Sequence, residues 1–373
     1  MKVLLLYISA VSGHRQAAEA VKQAFMKFYP EVEVRGENLF QYGNRLLRTL
    51  LDSLYYAMIT LTPWFWDFIW DSQEVYWSTY ALRNFLYRTN YLRLYREVIL
   101  PFDPQAVICT HSIACALSSI IKKKKRLDYL LAAVPTDFCL HPYWFYNEVD
   151  VYFLPHETLK ENLVERGIPL NKIRITGIPI SPNISRSKSR KNLKKKWGIK
   201  EDLFTVLLMG GGQGMGSLKE IVLGLASSHL PIQLLVVTGI NRRLRNKFRR
   251  MQSKLDLPLK VFGYTREVDE LMEISDLLIS KPGGLTTAEA LAKRLPLGIV
   301  DSLAGQERRN KELLLEKGLA FELKNKEDIV GLIGHLLNDS SYLKEWQRHI
   351  KDFACPQSAQ QIAQKVMSLV KEK

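Results

Sequence analysis

Apolar runs of four to six residues recur along the chain, most of them closed by glycine, proline or a small polar residue and followed by a helical pattern. The first, "KVLLLYIS" (2–9), is continuous rather than alternating, which suits a strand buried on both faces of a parallel sheet. A helix over 15–28 and a second strand at "EVEVRGENL" (31–39) follow, so the chain opens as a β-α-β unit. Further strands are predicted at "AVICTH" (106–111), "YLLAAVPT" (129–136), "VYFLP" (151–155) and "KIRITG" (172–177). The rhythm then restarts with "FTVLLMGGGQGMG", "IQLLVVTG", "LKVFGYT", "DLLISKPGG" and "LPLGIVD". The pattern predicts two α/β halves, each a Rossmann-like doubly wound domain.

Between the halves, residues 178–200 read "IPISPNISRSKSRKNLKKKWGIK", with seven Lys or Arg between Arg186 and Lys196, a linker running into a basic helix. The expected organisation is an N-terminal domain over 1–185 carrying an insertion at 40–100, a C-terminal domain over 201–350, and a last helix over 351–373 packing back on the first domain. That insertion differs in character from the rest. Residues 55–95 hold fourteen aromatics, among them Trp64, Trp66, Trp70 and Trp77, with Arg83, Arg88, Arg93 and Arg96 toward the end. Trp and Tyr mixed with Arg suit a bilayer interface, and they equally suit an aromatic hairpin core or a protein contact.

Length and charge narrow the partners. At 373 residues and 47% hydrophobic content the chain buries two real cores. The formal net charge of +15 implies anionic partners: nucleic acid, a phosphorylated small molecule or an acidic lipid surface. No nucleic-acid-binding motif is present, and the aromatics are grouped away from the main Lys/Arg runs, so no nucleic-acid partner is expected. "KKKKR" (122–126) and "RRLRNKFRR" (242–250) read either as solvated faces or as contacts to anionic lipid. Cys109, Cys115, Cys139 and Cys355 lack zinc-type or C-x-x-C spacing, so neither a structural metal nor a disulfide framework is indicated and a cytoplasmic setting is expected. No run of 18 uncharged apolar residues occurs, and no transmembrane helix is predicted.

Two glycine loops carry the chemistry. "GGGQGMG" (210–216) follows a strand, and Gly211, Gly212, Gln213 and Gly214 read either as a phosphate cradle or as a tight turn. "SKPGGLTTAEAL" (280–291) ends a strand in Pro282–Gly283–Gly284, with a helix expected to start near Thr286. Thr286 and Glu289 have capping-box spacing; the functional alternative is a helix N-terminus that binds diphosphate while Glu289 accepts from ribose hydroxyls. "AGQERRN" (304–310) adds Gln306, Glu307 and Asn310, groups suited to sugar hydroxyls.

Together, "SKPGGLTTAEALAKRLPLGIVDSLAGQERRN", "VFGYTREVDELMEISDLLIS", "AAVPTDFCLHPYWF" and "ITGIPI" resemble the GT-B glycosyltransferases that act on lipids. These are the monogalactosyldiacylglycerol synthases and bacterial diacylglycerol glucosyltransferases, relatives of the peptidoglycan N-acetylglucosaminyltransferase. The resemblance implies two Rossmann-like domains with a cleft, a UDP-sugar donor (UDP-glucose or UDP-galactose) and a lipid acceptor, most simply diacylglycerol. It implies inverting transfer at the cytoplasmic face of an anionic membrane. It places uracil against the backbone of Phe262, Gly263 and Tyr264, diphosphate at Pro282, Gly283, Gly284, Thr286 and Thr287, and ribose at Glu289. It makes His14, in "SAVSGHRQAA", the base that takes the acceptor proton, with serine and valine standing where the family has further glycines. Asp137 reads either as a group that orients or charge-balances His14 or as a turn or N-cap residue, and His141 and Trp144 are weaker candidates for shaping the acceptor mouth.

Imidazole suits that task because its ordinary pKa lies near neutrality. No Asp-x-Asp is present in the expected donor half, so no cofactor or metal is expected; the glycine amides, the helix end and Arg186 stabilise the leaving diphosphate instead. The competing readings are a UDP-sugar epimerase on the same architecture, transfer to a polyprenyl-linked lipid, and a non-enzymatic nucleic-acid-binding protein.

Overall fold

The computed structural model describes residues 1–8, 12–42, 91–186, 188–214, 216–302 and 305–373. Residues 43–90, the greater part of the insertion, with its four tryptophans, Arg83 and Arg88, lie outside the described residues, as do residues 9–11 of the first loop, Ser187, Met215, Leu303 and Ala304. The chain forms two compact units. The first comprises Met1–Pro182, Leu303–Gln306 and Gln357–Lys373; the second comprises Asn183–Ser302 and Glu307–Pro356.

Six strands build the first unit: β1 (Lys2–Tyr7), β2 (Glu33–Asn38), β3 (Ala106–Cys109), β4 (Leu130–Ala133), β5 (Val151–Leu154) and β6 (Ile173–Ile175). All neighbours pair in parallel, in the order β2-β1-β3-β4-β5-β6. The continuous apolar runs are explained by two-sided burial. Leu4, Leu6, Val107, Cys109, Leu131 and Ala133 feed one core. Val3, Leu5, Ala106, Ile108, Leu130 and Ala132 feed the other. Each fully buried Leu or Val is worth roughly 1.5–3 kcal/mol. Helix α1 (Gly13–Phe28) and the C-terminal helix Ser358–Glu372 close the second face through Val21, Phe25, Ile362 and Val366. Helix α2 (Ser112–Lys125) closes the first. Trp144 is 7% exposed within that first core, so it packs rather than shapes an acceptor mouth.

The second unit repeats the architecture with β7 (Phe204–Met209), β8 (Ile232–Val237), β9 (Leu259–Phe262), β10 (Leu277–Ser280), β11 (Leu297–Ile299) and β12 (Phe321–Glu322). The sheet is again all parallel, in the order β12-β11-β10-β7-β8-β9. Strand β12, two residues long at the edge, is too short for a pattern to announce.

From Asn183 onward the basic linker region belongs to this unit, and three of its cations, Lys188, Arg190 and Lys196, are ion-paired there. Helix α3 (Arg190–Trp197) and Lys188 lie against an acidic segment: Lys188 pairs with Asp269 at 2.7 Å and Glu270 at 3.1 Å, and Arg190 with Asp276. Burial opposes ionisation of Glu270, yet bonds from Lys196, Lys188 and Trp197 hold its pKa down at about 2. No helix among the described residues is long and apolar enough to cross a membrane.

Candidate active site

In a doubly wound sheet, ligands bind beyond the carboxyl ends of the strands, at the point where the strand order reverses. In the first unit that point lies between β1 and β3, and in the second between β7 and β10. The loops at those points carry His14 after β1, Thr110 and His111 after β3, the glycine run after β7, and Lys281–Gly284 after β10.

His14 sits in the first turn of α1, whose N-cap Ser12 accepts a bond from the backbone N–H of Arg15. Its half-buried ring is held from one side. Nδ1 lies 2.9 Å from the carbonyl oxygen of Thr110 and 2.7 Å from Thr136 Oγ1. A carbonyl can only accept, so the proton of the neutral ring is on Nδ1 and the lone pair on Nε2. Desolvation lowers the pKa of His14, while the charge of Asp137 and the Thr110 bond raise it against that trend. Thr110 and Thr136 therefore orient the ring, and Asp137 acts on it through charge.

A second imidazole stands beside the first. His111 meets His14 edge-on with ring centroids 4.7 Å apart, and its Nδ1 accepts the N–H of Ile113 as the N-cap of α2. Burial, then the neighbouring His14, push its pKa well below the ordinary value, so it stays neutral. Thr110, His111 and Thr136 were missed by sequence reasoning; their only signal was a position at the carboxyl end of a predicted strand. His141 caps a short 3-10 turn, its Nδ1 accepting from the N–H of Tyr143 at 3.2 Å.

In the second unit the glycine run is packed for structural reasons. Gly214 has φ +63°, and a Cβ there would stand 2.1 Å from the carbonyl oxygen of Thr238. The carbonyl of Gly212 accepts from Ile240 N–H, and that of Gly214 from Asn241 Nδ2. Gly211, with φ +67°, has open space where its Cβ would be. The following helix α4 (Leu218–Ala226) meets a protein carboxylate at its start: Asp301 accepts from Ser217 N–H at 2.9 Å and from Ser217 Oγ at 3.2 Å. A diphosphate placed there would face a like charge.

At the Pro-Gly-Gly loop the start of the next helix carries no side-chain cap among the described residues. Two further helices, α5 (Arg242–Gln252) and α6 (Val268–Glu273), precede it, and α7 (Gly284–Lys293) follows it. Helix α7 begins two residues earlier than expected, with Gly283 as an N-cap that makes no side-chain bond. Thr286 and Glu289 thus lie inside the helix and form no capping box: the Thr287 N–H bonds to the Gly283 carbonyl at 3.0 Å, so the first turn is already wound. Pro282 is buried, and Gly283 has open space at its Cβ position. Thr287 is fully buried, with Oγ1 lacking a hydrogen-bond partner. Burial, then the charge of Asp269, raise Glu289 to a pKa of about 8.

Asn310, in α8 (Gln306–Glu316), is fully buried and donates from Nδ2 to the Pro282 carbonyl at 3.0 Å. It braces the glycine loop rather than presenting itself to a sugar, whereas Gln306 and Glu307 occupy the first turn of α8. Phe262 ends β9 and meets Trp197 edge-on at 5.4 Å; Gly263 follows it, and Tyr264 is exposed. The backbone carbonyl of Arg186 takes Lys293 Nζ at 3.3 Å, a residue of the last turn of α7 about 13 Å along the helix from Gly284. Lys281 is the cation sequence reasoning passed over: its Cε lies 3.4 Å from the Cβ position of Gly216, one residue before Pro282. Among the described residues no three His, Cys, Asp or Glu side chains converge as metal ligands do.

Comparison with known proteins agrees with this two-part layout. Residues 14–180 match the family model of monogalactosyldiacylglycerol (MGDG) synthase, and 205–362 that of the glycosyltransferase family 28 C-terminal domain. A processive diacylglycerol beta-glucosyltransferase from Bacillus subtilis (strain 168) is 27% identical over 370 residues, covering 98% of this chain and 94% of the relative. In fold, the chain is similar to UDP-GlcNAc 2-epimerase from Neisseria meningitidis bound to UDP-GlcNAc (TM-score 0.64, 14% identity, covering 99% of this chain and all of that one). It is equally similar to Acinetobacter baumannii MurG (TM-score 0.62, 12% identity, the same coverage). An MGDG-synthase-like half joined to a glycosyltransferase family 28 C-terminal domain, on two parallel six-stranded sheets, makes this chain a UDP-sugar-dependent glycosyltransferase with the GT-B fold, similar to the monogalactosyldiacylglycerol synthases and processive diacylglycerol glucosyltransferases.

Proposed function

We propose that the enzyme transfers a hexose, with inversion, from UDP-glucose or UDP-galactose to the free hydroxyl of diacylglycerol. One observation carries the chemistry: the Nδ1–H of His14 faces the Thr110 carbonyl, which leaves the Nε2 lone pair free to take a proton. The acceptor O–H proton passes to Nε2 as the acceptor oxygen bonds to the anomeric carbon. The bond from that carbon to the diphosphate breaks, and its electron pair leaves with UDP. Positive charge develops on the sugar, as in glycoside hydrolysis, so stabilising the departing diphosphate is the main electrostatic task. The open N-terminus of α7 at Gly283–Gly284, the unpartnered Thr287 hydroxyl and Lys281 serve it without a metal. Glu289 receives the ribose, the backbone at Phe262–Tyr264 the uracil, and Gln306 and Glu307 the hexose hydroxyls. Because the acceptor resides in a bilayer, this reading makes the enzyme peripheral at the cytoplasmic face of the membrane.

The test is incubation of the protein with UDP-glucose, UDP-galactose or UDP-N-acetylglucosamine and dispersed diacylglycerol, followed by lipid analysis. A glycosyldiacylglycerol from one of the first two donors is the expected product. UDP release or epimerisation without a lipid acceptor contradicts the reading.

A further inference from the structure

A helix N-cap favours short side-chain acceptors, Asn, Asp, Ser and Thr, which reach the first backbone N–H groups. Helix α1 follows that rule with Ser12, whereas α2 starts on His111, a larger ring at the carboxyl edge of β3. Capping alone does not call for an imidazole. The cap does fix its tautomer: Nδ1 accepts the N–H of Ile113 at 3.1 Å, so the lone pair is on Nδ1 and the proton on Nε2. Burial and the positive end of α2 both disfavour the imidazolium, which leaves a neutral ring with one N–H to donate. His14 is held in the opposite tautomer, its Nδ1–H toward the Thr110 carbonyl and its lone pair on Nε2. The two half-buried rings meet edge-on with centroids 4.7 Å apart, and neither Nε2 has a hydrogen-bond partner among the described residues.

We propose that His111 is a second catalytic histidine: its Nε2–H donates to the oxygen of the acceptor hydroxyl whose proton His14 Nε2 removes. One acceptor and one donor side by side complement an alcohol, which donates through its hydrogen and accepts through an oxygen lone pair. With the O–H held by His14 and one lone pair by His111, the second lone pair is left to attack the anomeric carbon. The hydroxyl is then fixed against rotation about its own C–O bond, which a single contact to His14 does not achieve. No proton leaves His111 in this step. The acceptor proton passes to His14 as the new bond to the anomeric carbon forms and UDP departs with its bonding pair. A charged imidazolium at this position would oppose protonation of His14, and the neutral ring does not. This role rests on the transfer to a lipid hydroxyl proposed above.

The experiment separates the cap from the donor. His111→Ser keeps an N-cap acceptor and removes the imidazole N–H, whereas His111→Gln sets an amide N–H near the place of Nε2 and gives up the cap. A crossed pattern is expected. In His111→Ser, kcat with detergent-dispersed diacylglycerol falls roughly 10–100-fold while the thermal melt and UDP affinity stay at wild type. In His111→Gln, the melting temperature drops by roughly 2–4 °C while kcat stays within about fivefold. Because both bonds hold one hydroxyl, His14→Ala/His111→Ser loses no more than His14→Ala alone. A serine variant within about twofold of wild type, a glutamine variant as slow as the serine one, or additive losses in the double variant overturns the proposal. So does a loss that vanishes on the pH plateau above the acid limb, since that places the effect on the pKa of His14. Transfer by wild type with an unimpaired His111→Ser fails this inference alone. Absence of transfer by wild type fails the diacylglycerol assignment, and the variants are then ranked on monoglucosyldiacylglycerol or a polyprenyl-linked lipid, where the same order is expected.

Discussion

Thr110 grips His14 at both ends. Its carbonyl oxygen lies 2.9 Å from Nδ1, and its hydroxyl donates to the His14 backbone carbonyl at 2.9 Å. The residue is itself fixed by its N–H bond to the carbonyl of Leu6 in β1. A chain of bonds therefore runs from the sheet to the imidazole and sets which nitrogen carries the proton. Precision of this kind is what a general base requires.

In the proposed mechanism, replacing His14 removes chemistry and leaves donor binding. His14→Ala is expected to lower kcat by roughly 10²–10⁴-fold while UDP affinity stays within about twofold. Steady-state kinetics and calorimetric titration with UDP check this. A variant whose sole defect is UDP binding overturns the assignment.

The pH profile follows from the direction of the His14 shift. Burial sets its pKa below the usual 6.5, so the active neutral form persists down to mildly acidic pH, and the acid limb of kcat falls below that value. Asp137 raises the pKa, so Asp137→Asn is expected to move the limb to still lower pH. A shift upward contradicts the charge-balancing role.

Glu289 gives a stability prediction. Its folded pKa of about 8 lies above the unfolded value near 4.5, so its contribution is fully present below pH 4.5 and is lost as pH rises to 8. Glu289→Gln should melt like wild type near pH 4.5 and become more stable than wild type toward pH 8. The gap is on the order of a few kcal/mol at most, read by urea denaturation. A gap that stays constant across this range removes the argument.

The two glycines of the first loop should respond differently to alanine. Gly214→Ala drives a Cβ into the Thr238 carbonyl, so loss of folding or more than about 3 kcal/mol is expected. Gly211→Ala meets open space and bears only the left-handed backbone cost, about 1–2 kcal/mol. Denaturation midpoints of the two variants decide it.

Metal independence is tested by chelation. Transfer activity should survive EDTA with less than about a twofold change, because main-chain amides, Thr287 and Lys281 serve the leaving group in this reading. A strict magnesium requirement counts against that site.

The strands were legible because burial on both faces demands unbroken apolar runs: "VLLLY" and "VLLM" can be little else when glycine loops and helical patterns follow. Their ends were not. The predicted runs overshoot at Thr110, His111, Thr136 and Thr238, and these residues leave the sheet at its carboxyl edge. Pattern sees apolar continuity but not where pairing with the neighbouring strand stops.

Local chemistry marked Gly283, Gly284 and Glu289, since a glycine turn before a helix is a local device, whereas His14 stood out as a base only through the family resemblance. Which charges are spent and which are free was decided only in three dimensions. "KKKKR" and "RRLRNKFRR" read alike as sequence, yet Asp150 and Glu148, distant along the chain, engage the first cluster, while among the described residues no carboxylate pairs with the second. Composition fixes how much charge a chain carries, and tertiary contact decides where it is left unpaired, because pairing depends on distances that sequence separation does not encode.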